Sequence, residues 1–489
     1  MEGKSDYPRW INFFMIKKIT KLKKSILSTT NGVGSRVKQL KKKVVKSVSP
    51  KKVSLSQKIP KVDKQRKVLM FGWELPPYNS GGLGVACYEL AEAMSKQNSK
   101  ITFVLPSKYD KSVPFMDVTH ADSAKTNGQQ EQSVTDSNIK IQTVRSNLSP
   151  YLNETSYMEQ YSQTERHYEC SRGNCQYGET LIDEVYRYGE AAAEVAQKEN
   201  FEIIHAHDWL SFPAGIKAKE VSHKPLVVHV HALEYDRSHE GGVNAQICAI
   251  ERSGMQAADK IIAVSGYTKQ RIVDYYGISA EKIEVVHNGI NISNKPTKKL
   301  TLKSIKSGGK KMVLFVGRIT YQKGVDYLIE AAAKALKINK KLVFMIVGSG
   351  DMSHQIINQA ANHAISDKVF FPGFLRGEEL SKIYGSADLY VMPSVSEPFG
   401  LVALEALSHK VPVIVSKQSG ASEVIMHSLK VDFWDTDELA NKIVAVIENP
   451  SLADSLSKNG HKEALNCTWD CAAKKCINVY DQLLSASSF

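Results

Sequence analysis

Short apolar runs, each followed by a stretch of helical period, recur along this chain in two series. The first series occupies residues 67–73, 101–105, 203–207, 226–231, 260–265 and 283–287; the second occupies 312–318, 342–347, 369–371, 387–393 and 411–415. The runs are rich in Val, Ile and Phe and close on turn residues, as strands buried on both faces of a parallel sheet do. Between them, Val85, Tyr88, Leu90 and Met94, then Leu181 to Gln197, then Leu328, Ala331, Ala332 and Leu336, repeat at helical spacing. Strand and helix alternating in this way predict an α/β protein, and two series predict two Rossmann-like doubly wound domains facing across a cleft. The polar, lysine-rich segment 293–311 reads as the linker between residues 67–292 and 312–470, and 471–489 reads as a terminal helix. Within the first domain a polar, turn-rich stretch at about 107–177 reads as a surface insertion.

Charge separates the amino terminus from the rest. Residues 1–67 hold seventeen lysines and three arginines against three acids, a net of +17, so the remainder carries −4 of the total +13. The basic balance therefore does not describe the folded body, and nucleic acid is not expected as a partner. Residues 1–66 also hold an apolar patch, Trp10-Ile11 and Phe13 to Ile16, followed by Ile19, Leu22 and Ile26. Such a segment either stays solvated and disordered or forms an amphipathic basic helix on an anionic membrane surface. No window is long and apolar enough to span a bilayer, so a cytoplasmic protein, peripheral at most, is expected. Seven scattered cysteines suit a reducing compartment. Cys170-x4-Cys175 and Cys471-x4-Cys476 lack zinc-site spacing, and no metal is expected.

Candidate chemistry gathers at the ends of the apolar runs, where parallel sheets place their ligand crevices. His205 to Trp209 and His229-Val230-His231, with Glu234, Asp236 and Arg237, end two strands of the first series. Arg318 and Lys323 end the first strand of the second, five residues apart, and both types suit a diphosphate, arginine as a fork and lysine as a point charge. The stretch Ser396 to Leu407, SEPFGLVALEAL, should turn into a helix beginning at Pro398 or near Gly400. Glu397 at its mouth and Glu405 eight positions on would lie roughly 12 Å apart or a little less at helical rise, with free helical N–H groups between them. Ser80 to Gly84 forms a glycine turn between strand and helix that lets backbone approach an anion, but it lacks the G-x-G-x-x-G pattern of a dinucleotide site.

These residues together resemble the retaining two-Rossmann glycosyltransferases, the GT-B group that includes glycogen synthases. The resemblance runs from about Val68 to the C-terminus and is carried by Glu397-x7-Glu405 in EPFGLVALEA, FVGRITYQKG from Phe315, HAHDW from His205, and the 80–84 glycine loop. It implies that Arg318 and Lys323 hold the donor diphosphate, that Glu397 binds sugar hydroxyls and Glu405 the ribose, and that His231 lies beside the donor sugar. It also implies that amides at Gly81, Gly82, Gly400 and Leu401 approach the phosphates, and that Asp208, with His207, Glu234 and Arg237, forms the acceptor side. A nucleoside-diphosphate sugar such as ADP-glucose or UDP-glucose would be the donor, with no cofactor or metal, and the terminal helix would cross back to the first domain. Three functions are compatible: hexose transfer to an α-glucan or other glycan, transfer to a lipid-linked sugar, or non-catalytic glycan binding on the same fold.

Overall fold

A computed structural model describes residues 65–76, 82–106, 116–120, 139–143, 180–238, 242–291 and 307–486. The basic segment 1–64, Gly81, Cys170, Cys175 and most of the linker lie outside these residues. Among the described residues fourteen strands form two sheets, and the strands pair in parallel. In chain order they are β1 (Arg66–Phe71), β2 (Ser99–Leu105), β3 (Met116–His120), β4 (Ile139–Thr143), β5 (Ile203–His207), β6 (Leu226–Val230), β7 (Lys260–Ala263) and β8 (Ile283–Val285). The second sheet contains β9 (Lys311–Val316), β10 (Leu342–Val347), β11 (Val369–Gly373), β12 (Leu389–Met392), β13 (Val413–Ser416) and β14 (Leu429–Val431).

The strand orders decide where a ligand can sit. The first sheet runs β3-β4-β2-β1-β5-β6-β7-β8 and the second β11-β10-β9-β12-β13-β14. The strand order runs outward in opposite directions from the junction of β1 and β5 in the first sheet and of β9 and β12 in the second, with β3 placed outside β4 at the first sheet's edge. Connections leave to opposite faces there, which opens a crevice beyond the strand ends. His207 and Asp208 stand at the first crevice; Arg318 and the segment 393–397 stand at the second.

Central strands such as β5, β6 and β10 are buried along their whole length, so their apolar content is continuous rather than alternating. Each sheet buries apolar side chains on both faces. One face of the first sheet is completed by the terminal helix Trp469–Ala486, whose Ala472, Ala473, Cys476 and Tyr480 pack with Leu90 and Met94 of helix Gly82–Lys96. Arg66 holds Asp481 through Nε at 2.6 Å and a second guanidinium nitrogen at 2.8 Å, a bidentate pair that ties β1 to that helix.

The expected insertion is not wholly surface: β3 and β4 within it extend the first sheet from β2 outward. Ile139-Lys140-Ile141 has the period-two alternation of a strand, but three residues set in a polar stretch are too few to register against the surrounding turn composition.

Among the described residues no helix is long and apolar enough to cross a membrane.

Candidate active site

On the second-sheet side, β9 delivers half-buried Arg318 to the crevice, and a short 3-10 turn, Tyr321–Lys323, follows. Gly324 then takes φ 62°, and a Cβ there would lie 2.2 Å from the Pro393 carbonyl oxygen. Both the left-handed backbone and the close approach require glycine. Gly324→Ala is therefore expected to lower stability by about 2 kcal/mol or more, read as a fall in urea midpoint at unchanged slope.

That close approach brings the Lys323 loop onto the Glu397 loop. Lys323 Nζ donates to Glu397 Oε2 at 2.7 Å, and Ser394 Oγ donates to the same oxygen at 3.1 Å. Gln322 O accepts the Val395 N–H at 2.9 Å. Glu397 is not in a helix. It forms a parallel bridge to Ser419, donating its N–H to Gln418 O at 2.9 Å and accepting from Gly420 N at 2.9 Å. The helical rise expected between Glu397 and Glu405 is thus replaced by an extended segment and a turn.

Helix Leu401–Ser408 starts at the later of the two expected positions. Gly400, at φ 101°, precedes it, and a Cβ there would sit 2.9 Å from Met392 Cε. Pro398 is left outside, its carbonyl engaged by Ser265 Oγ at 2.6 Å and Thr268 Oγ1 at 3.3 Å. The first amides of the helix have no intrahelical acceptor, so the start of this helix favours an anion. Leu401 at that start faces Gly82 at the start of helix Gly82–Lys96, its Cδ1 lying 3.9 Å from where a Gly82 Cβ would be. Two helix N-termini from different domains therefore meet at the cleft. Glu405, one turn on, is half-buried and accepts from Tyr384 OH at 3.0 Å; burial raises its pKa.

The first-domain wall is built from β5 and β6. Asp208 directly follows β5 with φ 57°, a conformation non-glycine residues avoid, and is buried. Its Oδ1 accepts the N–H groups of His231 at 2.7 Å and Ala232 at 3.3 Å, and its own N–H donates to His229 O at 2.9 Å. The strained residue thus fixes the turn that carries His231. Burial pushes the Asp208 carboxyl up to about 6. His207 Nδ1 lies 2.9 Å from His231 Nε2, and burial holds both imidazoles below their ordinary pKa, so His231 faces the cleft neutral.

The four residues expected on the acceptor side divide into two pairs by what they touch. His207 and Asp208 are buried beneath the wall and serve His231 from behind. Glu234 and Arg237 form a short helical turn and are spent on internal partners: Arg237 donates to Glu251 Oε1 at 2.9 Å, and Glu234 Oε1 accepts from Ser238 Oγ at 2.6 Å. Glu251 is buried, which lifts its carboxyl to about 8, and it also receives the Tyr276 hydroxyl. Such a satisfied buried network positions the wall and leaves little hydrogen-bonding capacity for a substrate.

Contacts across the cleft are not legible in the sequence. Ser396 Oγ donates to Asp236 Oδ1 at 2.6 Å and meets Tyr267 OH at 3.0 Å. Arg271 Nε lies 2.9 Å from the same Asp236 oxygen. Glu423 accepts the first amides of helix Gly266–Tyr276, from Gly266 at 2.8 Å and Tyr267 at 2.6 Å, and His287 Nε2 is 3.2 Å away. Burial tends to raise the Glu423 pKa, but the hydrogen bonds from His287 and the two amides outweigh it and leave it lowered. One domain thus caps a helix of the other. Glu423→Ala is expected to cost about 1 kcal/mol. With the carboxyl held low in the folded state, the wild-type advantage should be present at neutral pH and fade as pH falls through the carboxylate range; urea melts of both proteins at several pH values measure it.

Comparisons with known proteins bear on the family and the fold. The sequence profile of "Glycosyl transferases group 1" matches residues 298–463, and that of "Glycosyltransferase Family 4" matches residues 173–294. A protein of Methanocaldococcus jannaschii named as an uncharacterized glycosyltransferase is 30% identical over 433 residues, covering 85% of this chain and 97% of that one. A glycogen synthase of Mycobacterium tuberculosis is 26% identical over 85% of this chain and 94% of its own length. Among solved structures, the sucrose-phosphate synthase of Thermosynechococcus elongatus superposes with a TM-score of 0.64 at 20% identity, over 86% of this chain and all of that one. By sequence and by fold, the chain belongs to the group 1 glycosyltransferases of GT-B architecture and is a transferase enzyme.

Proposed function

We propose that the enzyme moves a hexose, glucose in the first instance, from a nucleoside-diphosphate sugar to an α-glucan or other glycan with retention of configuration. The observation that carries this reading is the meeting of Lys323 and Glu397 beside two facing helix starts. A diphosphate needs cationic and amide donors, and a sugar needs a carboxylate for its hydroxyls; this corner of the cleft supplies both. Arg318 and Lys323 would gather charge as the nucleoside diphosphate leaves, assisted by the Gly400 and Leu401 amides. No metal is required for that role. Glu397 would hold sugar hydroxyls and His231 would approach the same sugar from the opposite wall. Glu405 would take the ribose after Tyr384 rearranges.

The basic segment 1–66 favours a second acceptor class, a lipid-linked sugar at an anionic membrane. Radiolabelled UDP-, ADP- and GDP-sugars incubated with the full chain and either glycogen or lipid extract separate the two. Label in the glucan supports transfer to glycan; label confined to lipid overturns it. Nucleoside diphosphate release at background with every donor, unchanged in Glu397→Ala, would instead point to a non-catalytic glycan binder.

A further inference from the structure

We propose that Cys87, His207 and His231 form a binding site for one borderline-soft divalent cation of the Zn2+ class, and that the ion inhibits the enzyme by holding His231. One donor atom of each residue lies within 4.8 Å of the other two. A tetrahedral ion with metal–ligand distances of about 2.0–2.3 Å needs its donors roughly 3.3–3.8 Å apart, so small side-chain rotations close the set. A thiol with two imidazoles is the donor mixture Zn2+ prefers among divalent ions.

The surroundings are poorly satisfied without a cation. His207 is fully buried, and its Nε2 has no hydrogen-bond partner among the described residues, while its Nδ1 meets only another imidazole. Two carboxylates, Glu74 and Asp208, are buried close by. Negative charge beside the site favours a dication, which deprotonates the thiol it binds. His231 reaches the cleft and gives the ion a route in, whereas His205, His207 and His229, a second possible triad, are all buried. The inhibitory half of the proposal rests on His231 lying beside the donor sugar, as read above; the binding half does not.

The full chain, reduced and free of chelator, is titrated with Co2+ and its absorption followed, then Zn2+ is added. One equivalent is expected to give a thiolate-to-cobalt charge-transfer band that Zn2+ abolishes. Cys87→Ser should lose the band and Cys471→Ser should keep it. Should Cys87→Ser fail to fold, His231→Ala at the cleft rim decides, with Zn2+ affinity expected to fall tenfold or more. Absence of the band, its persistence in Cys87→Ser, or unchanged affinity in His231→Ala overturns the site. In sugar-transfer assays micromolar Zn2+ should inhibit reversibly to chelator. A cobalt band with full activity under Zn2+ would leave the site standing and overturn the placement of His231 at the donor sugar.

Discussion

Lys323→Ala is expected to lower kcat/KM for sugar transfer by about 10²–10³-fold, the usual loss when one donor to a developing negative charge is removed. Two effects add in this variant. Under the proposed reaction the departing diphosphate loses a cation, and Glu397, only 6% exposed, is left with the Ser394 hydroxyl as its remaining side-chain partner among the described residues. The second effect follows from the 2.7 Å contact between Lys323 and Glu397 and gives the experiment its discriminating power. Groups in direct contact are energetically coupled by about 0.5–3 kcal/mol, whereas distant groups add. The double variant Lys323→Ala/Glu397→Gln should therefore be less impaired than the product of the two single losses. Steady-state kinetics on the four proteins complete the cycle. Simple multiplication of the single effects, or a Lys323→Ala enzyme within threefold of wild type, would show that the pair does not act as a unit at the donor.

Asp208→Ala is expected to be nearly as damaging, although Asp208 touches no part of the cleft-facing surface directly. It removes the acceptor for the His231 and Ala232 amides and places alanine at φ 57°. A loss of about 10²-fold in kcat/KM follows from displacing a positioned group, with destabilisation of about 1–3 kcal/mol from strain and two orphaned amides. Asp208→Asn, which keeps the side-chain length and a carbonyl acceptor for both amides, should recover most of the stability lost with those hydrogen bonds.

The pH dependence gives an independent signature of Asp208. Its carboxyl is raised by burial to about 6, above an unfolded value near 3.9. Between those values the folded state holds more protons than the unfolded one, so the contribution of Asp208 to stability declines as pH rises from about 4 to 6. Activity runs the other way. Protonation removes charge from the acceptor of two amides, so kcat/KM should fall as pH drops through about 6. The imidazoles cannot produce this limb, since burial holds His205 and His231 down at about 3. An acid limb near pH 6 in the wild type that disappears in Asp208→Asn is the expected outcome; its persistence would assign it to another group.

Much of this was legible in the residues. The two series of apolar runs carried the architecture because a parallel strand covered on both faces must be apolar along its whole length, a local property. Arg318, Lys323 and Glu397 stood out because each ends a strand or opens a turn at a carboxyl edge, and Glu405 because it lies eight positions beyond Glu397. Gly400 was legible as a candidate helix start, although Pro398 read equally well. The choice between them came from Ser265 and Thr268 of the other domain, which hold the Pro398 carbonyl.

What local pattern could not carry was partnership between residues far apart in sequence. His207, Asp208, Glu234 and Arg237 all lie at or just beyond strand ends in the sequence, and only the tertiary structure shows that His207 and Asp208 contact His231 while Arg237 and Glu234 pair with Glu251 and Ser238. Asp236 with Ser396, and Glu423 with the start of helix Gly266–Tyr276, join positions more than 150 residues apart, and neither residue is unusual where it stands. The sequence by itself determined the strands, the helices and the chemical types at their ends, because these follow from nearest-neighbour periodicity and turn chemistry. The tertiary structure alone decided which ends meet, that Glu397 is extended and paired with Lys323, and that four histidines converge under the cleft, because those depend on strand order and domain docking.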